Sequence, residues 1–191
     1  MAASGPKPDM RIPQGCATTV LMERVIVMGC PGAGKSTAAK RLAGLTDIPV
    51  VHLDAYYWQP GWKRPETNEW EATLTALIQQ PRWIMDGNYG GTLPLRLAAA
   101  DTLIHLDYST ALCLRRAVKR AILGRGHDRH GELPAGCPER LDWAFFRFVA
   151  NYRRHQRKTD LQRIKGFDGK VYRFTSPNDL ERFLANFEKR V

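Results

Sequence analysis

Acid is scarce in this chain of 191 residues: 19 Asp and Glu stand against 29 Lys and Arg, for a net charge of +10. That excludes a strongly acidic surface and favours partners that carry phosphate, either polyanions or small phosphorylated ligands. Long apolar runs are also missing. None approaches the roughly 18–20 residues that a membrane-spanning helix needs, so no membrane role is expected. The N-terminus lacks the basic start, apolar stretch and small-residue cleavage site of a secretory leader. Cysteine is sparse, with Cys16, Cys30, Cys113 and Cys137 scattered and no C-x-x-C pair. A disulfide framework is excluded by that pattern, and a reduced, cytoplasmic setting is expected. Repeats are absent, and the length suits one domain with its own core.

What is present concentrates in one run. Gly29 to Thr37 reads Gly-Cys-Pro-Gly-Ala-Gly-Lys-Ser-Thr, a complete G-x-x-x-x-G-K-[ST]. Before it lies Val25-Ile26-Val27-Met28, short and β-branched as a buried parallel strand should be. After it come strong helix formers. In such a strand, loop and helix, Gly32 and Gly34 let the backbone curl so that successive N–H groups converge on phosphate, and Gly29, Pro31 and Ala33 complete the nucleotide-binding loop. The helix starting near Lys35, Ser36 and Thr37 adds its positive end. Lys35 would meet the β- and γ-phosphates, and the Ser36 hydroxyl would hold Mg²⁺. The expected ligand is a nucleoside triphosphate.

Residues 1–22 carry Pro and Gly without periodicity and are expected to form a disordered extension ahead of one domain, 23–191. Translation beginning at Met22 is a further expectation. Later apolar strands follow at 50–53, 83–85, 102–106 and 171–174, with helical patterns at 67–80, 109–122, 138–158 and 177–189. The alternation predicts an α/β fold with a five-stranded parallel sheet covered by helices on both faces. Three strands end in aspartate, at Asp54, Asp86 and Asp107, and the carboxyl ends of parallel strands line the ligand crevice. Asp86 opens the flexible run Asp-Gly-Asn-Tyr-Gly-Gly and is assigned to the site. Asp107 is assigned to capping the next helix.

The order of these motifs resembles the adenylate-kinase-like family of small P-loop kinases. Within it, the bacterial FlaR-like group of topology-modulation proteins is the nearest in pattern. The runs that carry the likeness are the glycine loop, His-Leu-Asp-Ala-Tyr-Tyr-Trp, Trp-Ile-Met-Asp-Gly-Asn-Tyr, Leu-Asp-Tyr-Ser…Arg-Arg-Ala-Val-Lys-Arg and Gly-Cys-Pro-Glu-Arg. The resemblance implies a P-loop NTPase with sheet order 2-3-1-4-5, a mobile lid at about 124–138, and ATP with Mg²⁺. Asp86 matches a carboxylate that supports Mg²⁺ through water. Arg116 and Arg120 match an Arg-x-x-x-Arg pair that meets the nucleotide, and Arg125 and Arg129 would swing in from the lid to stabilise the transferring group. Arg140 and Arg147 are further members of that cluster.

In related small-molecule kinases an aspartate after the second strand orients or deprotonates an acceptor hydroxyl, and Asp54 stands there; helping to position Mg²⁺ is its alternative. Trp58 and Trp62, followed by Lys63 and Arg64, would either stack on an acceptor or pack the neighbouring helix. Where adenylate kinase has an arginine for the monophosphate, this chain has Asn-Tyr-Gly-Gly, which argues against AMP as acceptor. Zinc in the lid is disfavoured, because His127, His130 and Cys137 miss the cysteine spacing of structural sites. The expected activity is therefore transfer of the γ-phosphoryl group of Mg-ATP to a small acceptor, a nucleoside or nucleotide. A nucleic-acid-binding ATPase or regulator is the competing expectation, and oligomeric state is not legible.

Overall fold

The computed structural model describes residues 22–124, 131–139 and 141–188. The described residues form five strands and eight α-helices: β1 (Arg24–Gly29), α1 (Lys35–Thr46), β2 (Val50–His52), α2 (Leu53–Tyr57), α3 (Thr67–Ile78), β3 (Trp83–Asp86), α4 (Leu93–Ala99), β4 (Thr102–Leu106), α5 (Thr110–Leu123), α6 (Trp143–Asn151), α7 (Gln156–Ile164), β5 (Lys170–Phe174) and α8 (Pro177–Glu188). The strands form one parallel sheet in the order β2-β3-β1-β4-β5, as expected. Because β1 is central, its side chains are buried on both faces. Val25 and Val27 join Ala39, Leu42 and Leu184 in one core, while Ile26 and Met28 join Leu74, Leu93 and Ile164 in the other. That alternation explains why the strand reads as an unbroken apolar run. Among the described residues no helix is long and apolar enough to cross a membrane.

Local chemistry sets the helix boundaries. Glu66 and Glu69 form a reciprocal capping box at the start of α3. Asp142 caps α6 by accepting from the amides of Ala144 and Phe145 at 2.9 and 3.2 Å, and the Ser176 hydroxyl accepts from the Asp179 amide at the start of α8. Three expectations need correction. The helix expected over 138–158 begins at the Asp142 cap and is two helices, α6 and α7. The break at 152–155 turns the chain so that Arg157 reaches Asp107. Asp107 does not cap α5, since Ser109 does, accepting from the Leu112 amide at 3.3 Å. Met22, assigned to the extension, is buried in the first core. Residues 1–21 lie outside the described residues.

Parallel pairing brings the carboxyl ends of all the strands to one edge. The glycine loop after β1, Asp54 in α2 and Asp86 at the end of β3 therefore share it.

Candidate phosphate-binding and acceptor site

The glycine loop runs between the end of β1 and the first turn of α1. Gly32, with φ 84°, lies so close to α5 that a Cβ there would meet the Cys113 carbonyl oxygen at 2.2 Å. Gly34 stands at the N-cap of α1 with φ 94°. Both values fall in the left-handed region that side-chain-bearing residues avoid. Inside the loop the Ala33 amide donates to the Cys30 carbonyl at 3.0 Å. Lys35 folds back over the loop, its Nζ 3.0 Å from the Gly29 carbonyl oxygen and 3.4 Å from that of Cys30. Pro31 is half-buried and Thr37 exposed, a residue beyond Ser36.

Asp86 is buried with His52 Nδ1 at 3.0 Å from its Oδ2. Burial pushes its carboxyl up, but the His52 hydrogen bond, the Lys35 charge and a hydrogen bond from the Ser36 side chain together hold it below the usual carboxylate range. Ser36 and Asp86, the two residues assigned to Mg²⁺, are thus brought together. They offer a hydroxyl and an ionised carboxylate, the hard oxygen donors that Mg²⁺ takes while keeping most of its waters.

Arg116 also reaches the loop, donating from Nη1 to the Ala33 carbonyl at 3.2 Å, with its guanidinium 6.0 Å from the centre of the Tyr108 ring. One turn on, Arg120 faces elsewhere. Its Nε lies 3.0 Å from Glu139 Oε1, and its guanidinium sits over the Phe145 ring. Arg147 is exposed on α6. Arg125 and Arg129, together with His127, His130 and Arg140, lie outside the described residues. The described part of the expected lid packs on the turn after α2: the Gly61 amide donates to the Gly136 carbonyl at 2.8 Å, the Cys137 thiol to the Gln59 carbonyl at 3.2 Å, and Trp62 Nε1 to the Pro138 carbonyl at 3.3 Å.

On the acceptor side Asp54 is half-buried and accepts a hydrogen bond of 2.5 Å from the Tyr89 hydroxyl. Tyr89 has φ 34° and packs against Tyr57 and Trp70, with ring centroids 4.5 and 5.1 Å away. Burial, reinforced by the Asp54 charge, pushes its phenol far above the ordinary range. Trp58 stacks edge-on against Trp62, and Arg64 lies 5.9 Å from the Trp58 ring.

Residues that sequence reasoning did not assign connect these parts. Asn88 grips Gly29 with its amide, Oδ1 accepting from the Gly29 N–H at 3.0 Å and Nδ2 donating to the Gly29 carbonyl at 2.9 Å. Arg96 has no exposed surface; it donates to the carbonyls of Gly87 at 2.9 Å, Tyr89 at 3.1 Å and Asn88. Burial lowers its guanidinium to about 10. Asn88 was at least visible in the run after Asp86, whereas nothing in the sequence around Arg96 distinguishes it from a solvated arginine. Asp107 accepts from Arg157 at 2.7 and 2.8 Å and from Arg173 at 2.8 Å. Those bonds outweigh the desolvation of its carboxyl and lower it to about 2.

No family model matches the sequence, and no curated protein matches it. Solved structures do match. Shikimate kinase from Bacteroides thetaiotaomicron superposes with a TM-score of 0.57 at 14% identity, over 88% of this chain and 97% of that one. A candidate kinase from Chloroflexus aurantiacus J-10-fl gives 0.50 at 18%, over 87% and 97%. At such identities the likeness speaks for architecture. Together with the sheet order and the glycine loop, it defines an α/β P-loop NTPase fold. The loop, Ser36 and Asp86 occupy the sheet edge where ligands of that fold class bind.

Proposed function

We propose that this protein is a kinase that moves the γ-phosphoryl group of Mg-ATP to a hydroxyl of a small acceptor, a nucleoside or nucleotide. The observation that carries the reading is the Tyr89 hydroxyl on the Asp54 carboxylate, at the same sheet edge as the glycine loop. A carboxylate that already accepts from one hydroxyl is suited to accept from another, and a general base needs that reach.

The donor's phosphates would lie along the loop amides. Lys35 would leave its two loop carbonyls for the β- and γ-oxygens, and Arg116 stands beside the loop to share their charge. Ser36 and Asp86 would hold Mg²⁺, which supplies charge neutralisation between the β- and γ-phosphates. Asp54 would orient the acceptor hydroxyl and take its proton as the acceptor oxygen bonds the γ-phosphorus and the bond from that phosphorus to the β-phosphate oxygen breaks, releasing ADP. Tyr57, Trp58, Trp62 and Tyr89 would give an acceptor ring an apolar wall, and Lys63 and Arg64 suit an acidic substituent. Arg125 and Arg129 are proposed to complete the cluster from the lid, and Arg120 to meet the nucleotide once released from Glu139.

The test is ADP release from Mg-ATP, with Mg-GTP in parallel, against nucleosides, nucleoside monophosphates, small hydroxylated metabolites and DNA ends. Strong stimulation by one small acceptor is the expected result. Slow hydrolysis that no acceptor changes, with salt-sensitive binding to duplex DNA, would replace the kinase by a nucleic-acid-dependent ATPase.

A further inference from the structure

We infer that Asn88 is the positioning residue that frees Lys35 for the triphosphate, an inference that rests on the nucleotide reading above. The Gly29 carbonyl is buried at the end of β1 and takes two hydrogen bonds, from Lys35 Nζ at 3.0 Å and from Asn88 Nδ2 at 2.9 Å. A carbonyl oxygen has two lone pairs, so both places are filled. When Lys35 swings to phosphate, one donor leaves and the other stays. Without Asn88 the same movement strips a buried carbonyl of both these donors, and the desolvation cost of that oxygen is charged against binding. Lys35 would then be held on the loop by the group it must abandon.

The geometry of Asn88 is itself enforced. Its side-chain oxygen accepts from the Gly29 N–H at 3.0 Å, so the amide meets both polar groups of one residue and cannot flip without losing both bonds. Its own carbonyl is held by Arg96, which also takes the carbonyls of Gly87 and Tyr89 on either side. A fully buried guanidinium on α4 therefore fixes the turn that aims the Asn88 amide at the phosphate loop. The same turn aims the Tyr89 hydroxyl at Asp54, so one arginine sets the registration of the donor side against the acceptor side.

The experiment is a binding cycle with Mg-ATP as probe, read by equilibrium dialysis on the full chain: wild type, Asn88→Ala, Lys35→Ala and the double variant. Asn88→Ala is expected to weaken binding by about 10- to 100-fold when Lys35 is present, the range set by leaving one buried acceptor unpaired. In the Lys35→Ala background the same change is expected to move affinity by less than about twofold, because no lysine remains to be released. Equal losses in both backgrounds would overturn the inference and reduce Asn88 to a structural contact. Asn88→Asp guards against a folding artefact, since it keeps the acceptor for the Gly29 N–H while exchanging the donor to the carbonyl for a negative charge that further holds Lys35 on the loop. It is expected to bind as poorly as Asn88→Ala, and wild-type affinity in it would overturn the inference. Failure of the wild-type chain to bind Mg-ATP would instead overturn the nucleotide reading, and this inference with it.

Discussion

The two sides of the crevice are built on different terms. The phosphate side is held mainly by contacts to backbone, with glycines pressed against α5, a lysine folded on loop carbonyls and Asn88 on Gly29, and Asp86 is fixed beside it by the side chains of His52 and Ser36. The acceptor side is held by rings, with Asp54 joined to Tyr89 by one side-chain bond and the rest supplied by Tyr57, Trp58, Trp62 and Trp70. A site of the first kind is fixed in shape before any ligand arrives and suits a ligand part that never varies, such as a triphosphate. The second kind has area and few directional contacts, and selects by fit. Substitutions on the phosphate side should therefore cost binding and stability, whereas those on the acceptor side should cost rate or acceptor KM.

The largest break should come from Lys35→Ala, which is expected to reduce phosphoryl transfer to background and to weaken Mg-ATP binding, as read by ADP release and dialysis. Wild-type turnover in that variant would overturn the kinase reading altogether. Next comes Asp54→Asn, expected to slow transfer by about 10²–10⁴-fold while nucleotide affinity stays nearly intact. A parallel loss of affinity would mean that Asp54 belongs to the phosphate side, and unchanged turnover would make it structural. Gly32→Ala should destabilise the fold by about 2 kcal/mol or more, because a Cβ meets the Cys113 carbonyl and φ stays left-handed. Urea titration measures this, and an unchanged midpoint would show that the loop is looser than its contacts imply.

Outside the crevice, Asp107 sharpens the contrast. Its folded carboxyl is lowered to about 2 against an ordinary 3.8 by Arg157 and Arg173. The stabilisation is fully present above the ordinary value and is lost as pH falls from near 4 towards about 2. Asp107→Asn should flatten stability across that window, and an equally steep acid loss in the variant would move the origin elsewhere. The smallest effect is expected from Trp62→Phe, which removes the donor to the Pro138 carbonyl. It should cost about 1 kcal/mol and change acceptor KM more than nucleotide affinity.

What was legible in the sequence followed the same division. The glycine loop could be read because backbone that curls around phosphate restricts residue type, and the placing of Asp86 at the end of β3 and Asp54 just past β2, at one sheet edge, because the carboxyl ends of parallel strands have a known place. The sheet order came from resemblance and agrees with the pairing. Contacts to backbone left no trace. Arg96 binds three carbonyls and Asn88 one residue's amide and carbonyl, and neither partner has a chemical identity that a sequence shows. Asp107 was misassigned because its arginines lie 50 and 66 positions away. Over 138–158 the apolar spacing carried on through a break that tertiary contacts impose.

A ribosome delivers this chain in an order that the sheet does not follow. The central strand is made first, and its neighbours are residues 83–86 and 102–106. At about 5–20 residues per second, the wait for both is on the order of 4–15 s. Until the first of them is complete, after roughly 3–11 s, Val25 to Met28 has apolar side chains on both faces and no neighbouring strand to pair with. Such a segment is a natural ligand for a holding chaperone and a natural seed for aggregation. The stretch that defines the phosphate loop is thus synthesised early and shaped late.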